Sequence, residues 1–174
     1  MKQEANIVAA SLAIADAHAH PNQPQATLRA LDDAIIGLVG RKWLTVLTVH
    51  AEEGFVERTY SNLGEQYRIG GTKRIDQAPR LRKVLETGEA FVGSTRDDII
   101  ANYPDAEQIF AMGCASILNM PVVWRAKVLA TVNLLNTEGF YNGTDIPLVR
   151  CLVQTALPAF LEGKRCETTT HEID

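Results

Sequence analysis

Cys114, at the head of the apolar run "CASILNMPVVW", carries the most reactive kind of side chain in this sequence. As a thiolate it would attack electrophilic sulfur or carbon, and thiol redox catalysis is the enzymatic chemistry its presence suggests. A cysteine beside an apolar strand is also an ordinary small core residue. Cys151 and Cys166 make no CxxC pair with it or with each other, so neither a metal knuckle nor a dithiol motif is spelled out. Three thiols cannot all be bridged within one chain, which fits reduced cysteines in the cytoplasm. His18 and His20 form a His-x-His pair, but two residues apart on a helix they point in different directions and no third ligand follows, so no metal site is expected. "IGGTKR" holds two glycines before basic residues without the spacing of a phosphate-binding loop, and glycines at a strand distortion account for it. His50 falls on an expected strand and no serine sits in a nucleophile elbow, so no catalytic residue is assigned.

Polar residues inside an apolar strand are more informative. In "KVLATVNLLN" alternation separates Val128, Ala130, Val132 and Leu134 from Leu129, Thr131, Asn133 and Leu135. The first set is purely apolar and should pack beneath helices. The second puts the Thr131 hydroxyl and the Asn133 amide between leucines on the opposite face, where buried polar groups need water, a neighbour or a ligand. That pattern predicts a binding pocket. On the preceding strand Ser116 and Asn119 have opposite parity, so only one of them can share that face without a bulge. Alternation of Leu118, Met120 and Val122 favours Asn119. Tyr67, Tyr103 and Phe110 could roof the space, or pack as core.

The elements that must hold these residues follow from periodicity and punctuation. Residues 3–17 read as a helix stopped by Pro21 and Pro24, and 27–39 as a second with Leu28, Leu31, Ile35 and Leu38 on one face. "WLTVLTVH" and "FVERTYSN" around "AEEG" predict a hairpin. A short irregular strand in "YRIGGTKRI", a helix from Pro79 to the stop at Gly88 and a short strand "AFVGS" come next. "STRDDIIANYPDAEQIFAMG" begins with a capping-box pattern, Ser94 to Asp97, and breaks at Pro104 into two short helices that would form a mobile cover. Strands at 115–123 and 127–136 joined by "WRA" follow, then a helix capped by Thr144, running to about 162 and bent at Pro158. Short β connections exclude an all-parallel sheet. The plan is α+β: an antiparallel sheet with helices at both ends.

The chain has 174 residues, 46% of them apolar and 22% charged, and a net charge of -4: one globular domain without the basic surplus that nucleic-acid binding needs. No run reaches the length of a membrane span, and Glu4 and Asp16 interrupt any secretory signal pattern.

With "SILNMPVVWRAKVLATVNLLN" and "GFYNGTD" opening the last helix, the order of elements resembles the GAF domain family over about 27–161. The resemblance implies six antiparallel strands, terminal helices on one face, a pocket on the other under loops and short helices, and association of two copies through the terminal helices. It divides the chain into an N-terminal helical arm (1–24), the domain (25–163) and a polar tail (164–174). An apolar stripe on the arm, Ile7, Val8, Leu12 and Ile14, would also serve a homodimer. Fold alone names no ligand. "ANYPDAEQIFAMGCAS" is similar to the bilin-holding segment of phytochromes and points to Ser116 as a pocket residue, but the bilin cysteine and histidine would fall at Ala101 and Asp105. In the free methionine sulfoxide reductase branch a cysteine would fall near Phe110 instead of Cys114. The cyclic-nucleotide signature is matched only in part, at Asn136, Phe140 and Asp145. The expectation is a cytoplasmic signal-transduction module that binds an unidentified small molecule through Tyr67, Tyr103, Phe110, Ser116, Asn119, Thr131 and Asn133. Its cofactor is unknown, and it has no nucleic-acid or membrane partner. The alternatives are a thiol redox enzyme and a ligand-free interaction module.

Overall fold

The computed structural model describes residues 2–165; of the expected tail, 164–165 close the last helix and 166–174, with Cys166, lie outside the described residues. The elements are α1 (Lys2–Ala17), α2 (Gln25–Leu38), β1 (Trp43–His50), β2 (Phe55–Ser61), β3 (Thr72–Arg74), α3 (Pro79–Thr87), β4 (Phe91–Gly93), α4 (Arg96–Asn102), α5 (Ala106–Ala111), β5 (Ser116–Trp124), β6 (Lys127–Asn136), α6 (Ile146–Thr155) and α7 (Leu157–Arg165). The six strands form one antiparallel sheet in the order β3-β2-β1-β6-β5-β4. This is the α+β architecture expected.

One face of the sheet carries the main core. Leu44 and Val46 of β1, Leu118 and Met120 of β5, and Ala130, Val132 and Leu134 of β6 meet Leu31 and Ile35 of α2, Val149, Leu152 and Val153 of α6, and Phe160 of α7. Removing most of a fully buried side chain here, as in Leu134→Ala, would cost about 2–5 kcal/mol. Helix α1 lies on α2 and α6, with Ile14 fully buried in the same core, while Val8 and Leu12 each stay 58% exposed. Buried Asp32 fastens α2 to the sheet through two half-buried partners: it accepts from Arg41 Nε at 2.6 Å and from the Tyr60 hydroxyl at 2.9 Å.

Two register slips decide which side chains face where. Val46 pairs with Tyr60 but Leu47 with Arg58, so Thr59 is extra; Tyr60 turns to the helices and Arg58 to the opposite face. Val122 pairs with Ala130 but Val123 with Val128, so Leu129 is extra. Val128 therefore leaves the apolar set that alternation assigned it, and is half-buried outside the main core. The β5–β6 turn is Arg125-Ala126, both at positive φ (51° and 60°), as a tight I′ hairpin requires.

Three local expectations shift. The capping box is Thr95 with Asp98, one residue later than Ser94 with Asp97, because the Thr95 hydroxyl accepts from the Asp98 amide while the Asp98 carboxylate takes the Ser94 and Thr95 amides. Those bonds hold the Asp98 carboxyl below its usual range. Asn142, not Thr144, caps the C-terminal segment, through a capping box with Asp145 over a 3-10 turn. The expected single bent helix is two helices, α6 and α7, parted at Ala156, two residues before Pro158.

Candidate functional site

The other face of the sheet, under α3, α4 and α5, holds an open cavity of about 780 Å³ including its mouth. Its floor consists of cross-strand rows. Thr45, Asn133 and Asn119 stand side by side on β1, β6 and β5, with Arg58, Leu47 and Thr131 forming the next row on β2, β1 and β6, and Leu135 with Ile117 the third. The walls come from Lys73 on β3, Arg80, Leu81 and Val84 on α3, and Tyr103, Asp105 and Ile109 from the cover, with Tyr67 from the 3-10 turn after β2.

An amide chain crosses the floor and reaches the cover. The Tyr103 hydroxyl donates to Asn119 Oδ1, Asn119 Nδ2 donates to Asn133 Oδ1 at 2.8 Å, and Asn133 Nδ2 points at Thr45 Oγ1, 3.4 Å away. Burial pushes the Tyr103 phenol above the usual tyrosine range, so at neutral pH it remains a donor. The cover is seated at its far end by Ile99, Ile109, Ile117 and Leu135, with Phe110 against that cluster and the Arg96 guanidinium 3.7 Å over the Phe110 ring.

Local sequence explains the placement of the cationic wall. The Thr59 bulge aims Arg58 into the cavity, and Gly71 leaves it room: a Cβ there would lie 2.8 Å from Arg58 Nη1. The two backbones exchange bonds at 2.8 Å, Arg58 N to Gly71 O and Gly70 N to Arg58 O. The "IGGTKR" glycines thus shape an edge strand and clear a path for an arginine. Arg58 lies 4.6 Å over the Tyr67 ring and Arg80 lies 4.0 Å over the Phe91 ring. Burial lowers the Arg58 pKa, opposed by Tyr67 and Asp105, and raises that of Tyr67, aided by the Asp105 charge.

Of the residues singled out in the sequence, Tyr67, Tyr103, Asn119, Thr131 and Asn133 line this cavity, and Phe110 and Ser116 do not. Ser116 shares the helix-side parity of Leu118 and Met120; its hydroxyl donates to Gly93 O and accepts from Tyr141 N, both at 3.1 Å, tying β4 to the loop before α6. Arg58, Lys73, Arg80 and Asp105 were not foreseen. Arg80 had a signal: with Leu81 and Val84 it occupies one face of α3 at helical spacing.

Cys114 is buried at 2% exposure, with Sγ 3.8 Å from Met112 O; burial raises the thiol's pKa, only partly offset by Lys42. Cys151 is exposed on α6. His20 Nδ1 accepts from the Asn22 amide at 3.1 Å in the turn after α1. Among the described residues no group of three His, Cys, Asp or Glu side chains could hold a metal ion, and no helix is long and apolar enough to cross a membrane.

No family model and no curated protein matches the chain. Solved structures do. The GAF domain of a phosphoenolpyruvate-protein phosphotransferase from Coxiella burnetii superposes with a TM-score of 0.72 at 12% identity, over 93% of this chain and 96% of that one. The corresponding Acinetobacter domain gives 0.71 at 12% identity, over 99% and 98%. The GAF domain of a two-component sensor histidine kinase from Bacillus halodurans gives 0.66 at 14% identity, over 81% and 95%. Identities this low speak to the fold alone, and the chain has the fold of a GAF domain.

Proposed function

We propose that the chain is a sensory or regulatory module that binds a small molecule in the cavity between the sheet and the α4–α5 cover. One observation carries the reading: the buried Arg58 Nε, Arg80 Nε, Asp105 Oδ1 and Thr131 Oγ1 have no hydrogen-bond partner, and all four residues line the same cavity. Buried polar atoms without partners are costly, and their gathering in one concave site is what a ligand would satisfy. Structurally similar domains in a sensor histidine kinase and in phosphotransferases support a regulatory role. Binding would reach the cover through Tyr103, which bonds to Asn119 on the floor. The buried, proton-holding Cys114 favours binding over thiol catalysis.

The module acts as a homodimer through its terminal helices, a reading supported by the exposed Val8 and Leu12 on α1 and Ile36 on α2. Sedimentation of the full chain tests this: a monomer at micromolar concentration removes it. The ligand reading is tested by native mass spectrometry of protein purified from its own host. A retained small molecule that dissociates on denaturation is expected, and repeated recovery of the bare chain mass counts against it.

A further inference from the structure

Resting on the ligand reading above, the charge distribution of the cavity narrows what it can take. Three cationic side chains, Arg58, Lys73 and Arg80, line it against one carboxylate, Asp105, in a chain whose net charge is -4. Positive charge is therefore concentrated here against the sign of the whole molecule. All three cations sit on the β2–β3–α3 side, whereas β1, β5 and β6 contribute only amide, hydroxyl and aliphatic groups. Each arginine lies over an aromatic ring, Tyr67 or Phe91, which restrains the guanidinium plane. The Arg58 Nη1 is used on the Arg68 carbonyl at 3.1 Å, yet its Nε, like that of Arg80, is left without an acceptor. Restrained guanidinium edges with unused N–H donors match the geometry of an oxyanion. On the other side, the buried Asp105 Oδ1 accepts nothing and can only be satisfied by a donor.

We propose that the cavity binds a small organic anion, its carboxylate or phosphate held by Arg58, Lys73 and Arg80, and a hydroxyl, amide or ammonium group on the same molecule donating to Asp105. The Thr131 hydroxyl, fully buried on the floor and unpartnered, supplies one further polar contact to the body of that molecule.

The probe is a cellular metabolite extract split on an anion exchanger into retained and unretained fractions, read by thermal unfolding of the full chain. The retained fraction should raise the Tm by several degrees. Phosphatase treatment abolishes that rise for a phosphate ester and leaves it for a carboxylate. In the Arg58→Gln/Arg80→Gln variant, folded by circular dichroism, most of the rise should disappear; should that variant not fold, Lys73→Gln on the edge strand should lose part of it. A rise produced by the unretained fraction, or one equal in wild type and variants, overturns the anionic assignment and leaves the small-molecule reading standing. A chain that responds to neither fraction overturns both.

Discussion

Asn119 on β5 donates its side-chain amide to the Asn133 carbonyl on β6 at 2.8 Å, in the row where the two strands pair. The bond occupies one end of each amide and makes the two act as one unit. Asn119 accepts from Tyr103 of the cover, and Asn133 turns its NH2 toward Thr45 of β1. Four elements meet through two asparagines.

Asn133→Leu therefore does more than remove a ligand contact. Asn133 is 7% exposed and its loss leaves the Asn119 NH2 without its acceptor, so unfolding stability should fall by about 1–3 kcal/mol while the fold persists. Any compound that stabilises the wild type should bind the variant about tenfold more weakly or worse. Chemical denaturation and titration of the two proteins check this; unchanged stability together with unchanged affinity sinks the role given to the amide.

Tyr103→Phe keeps the ring and deletes the hydroxyl that joins cover to floor. Amide hydrogen exchange in 96–111 should quicken while β1 and β6 keep their protection. Equal exchange in both proteins means that the bond does not hold the cover down.

Gly71→Ala tests the cationic wall. The new methyl would crowd Arg58 Nη1, the far end of a flexible side chain, so stability should change by less than about 1 kcal/mol while stabilisation by the anion-retained fraction weakens. An undiminished Tm rise would show that the position of Arg58 is unimportant.

Alkaline titration has a definite sign. Burial raises the phenol pKa of all four tyrosines, Tyr60, Tyr67, Tyr103 and Tyr141, because it penalises the phenolate. The folded chain thus keeps these protons to higher pH than the unfolded chain. The stability they contribute is fully present below about pH 10 and is lost as pH rises through the folded values. Ultraviolet titration should find no tyrosinate forming near pH 10 while circular dichroism is still native; a tyrosinate step there with the fold intact contradicts the burial.

Much of this was legible in the sequence, for reasons particular to each residue. Thr131 and Asn133 were readable because β6 alternates strictly over 130–135 and one parity is wholly aliphatic. Asn119 followed from the same alternation in β5, while the resemblance pointed to Ser116 and left both as candidates; in the structure Ser116 binds Gly93 and Tyr141 on the helix side. Arg58 was hidden because Thr59 is a bulge: plain alternation puts Arg58 and Tyr60 on one face, and the slip sends them to opposite faces. Lys73 and Asp105 lie on a three-residue edge strand and beside a helix break, segments too short for periodicity to orient.

A small molecule is expected in the space between the polar floor and the cover, and amide and side-chain NMR of the full chain, with the anion-retained metabolite fraction added, would locate it. The predicted result is shift changes confined to Arg58, Tyr67, Lys73, Arg80, Tyr103, Asp105, Asn119, Thr131 and Asn133 and their neighbours. Changes gathered instead on α1, α2 and α6, with these residues silent, would contradict it.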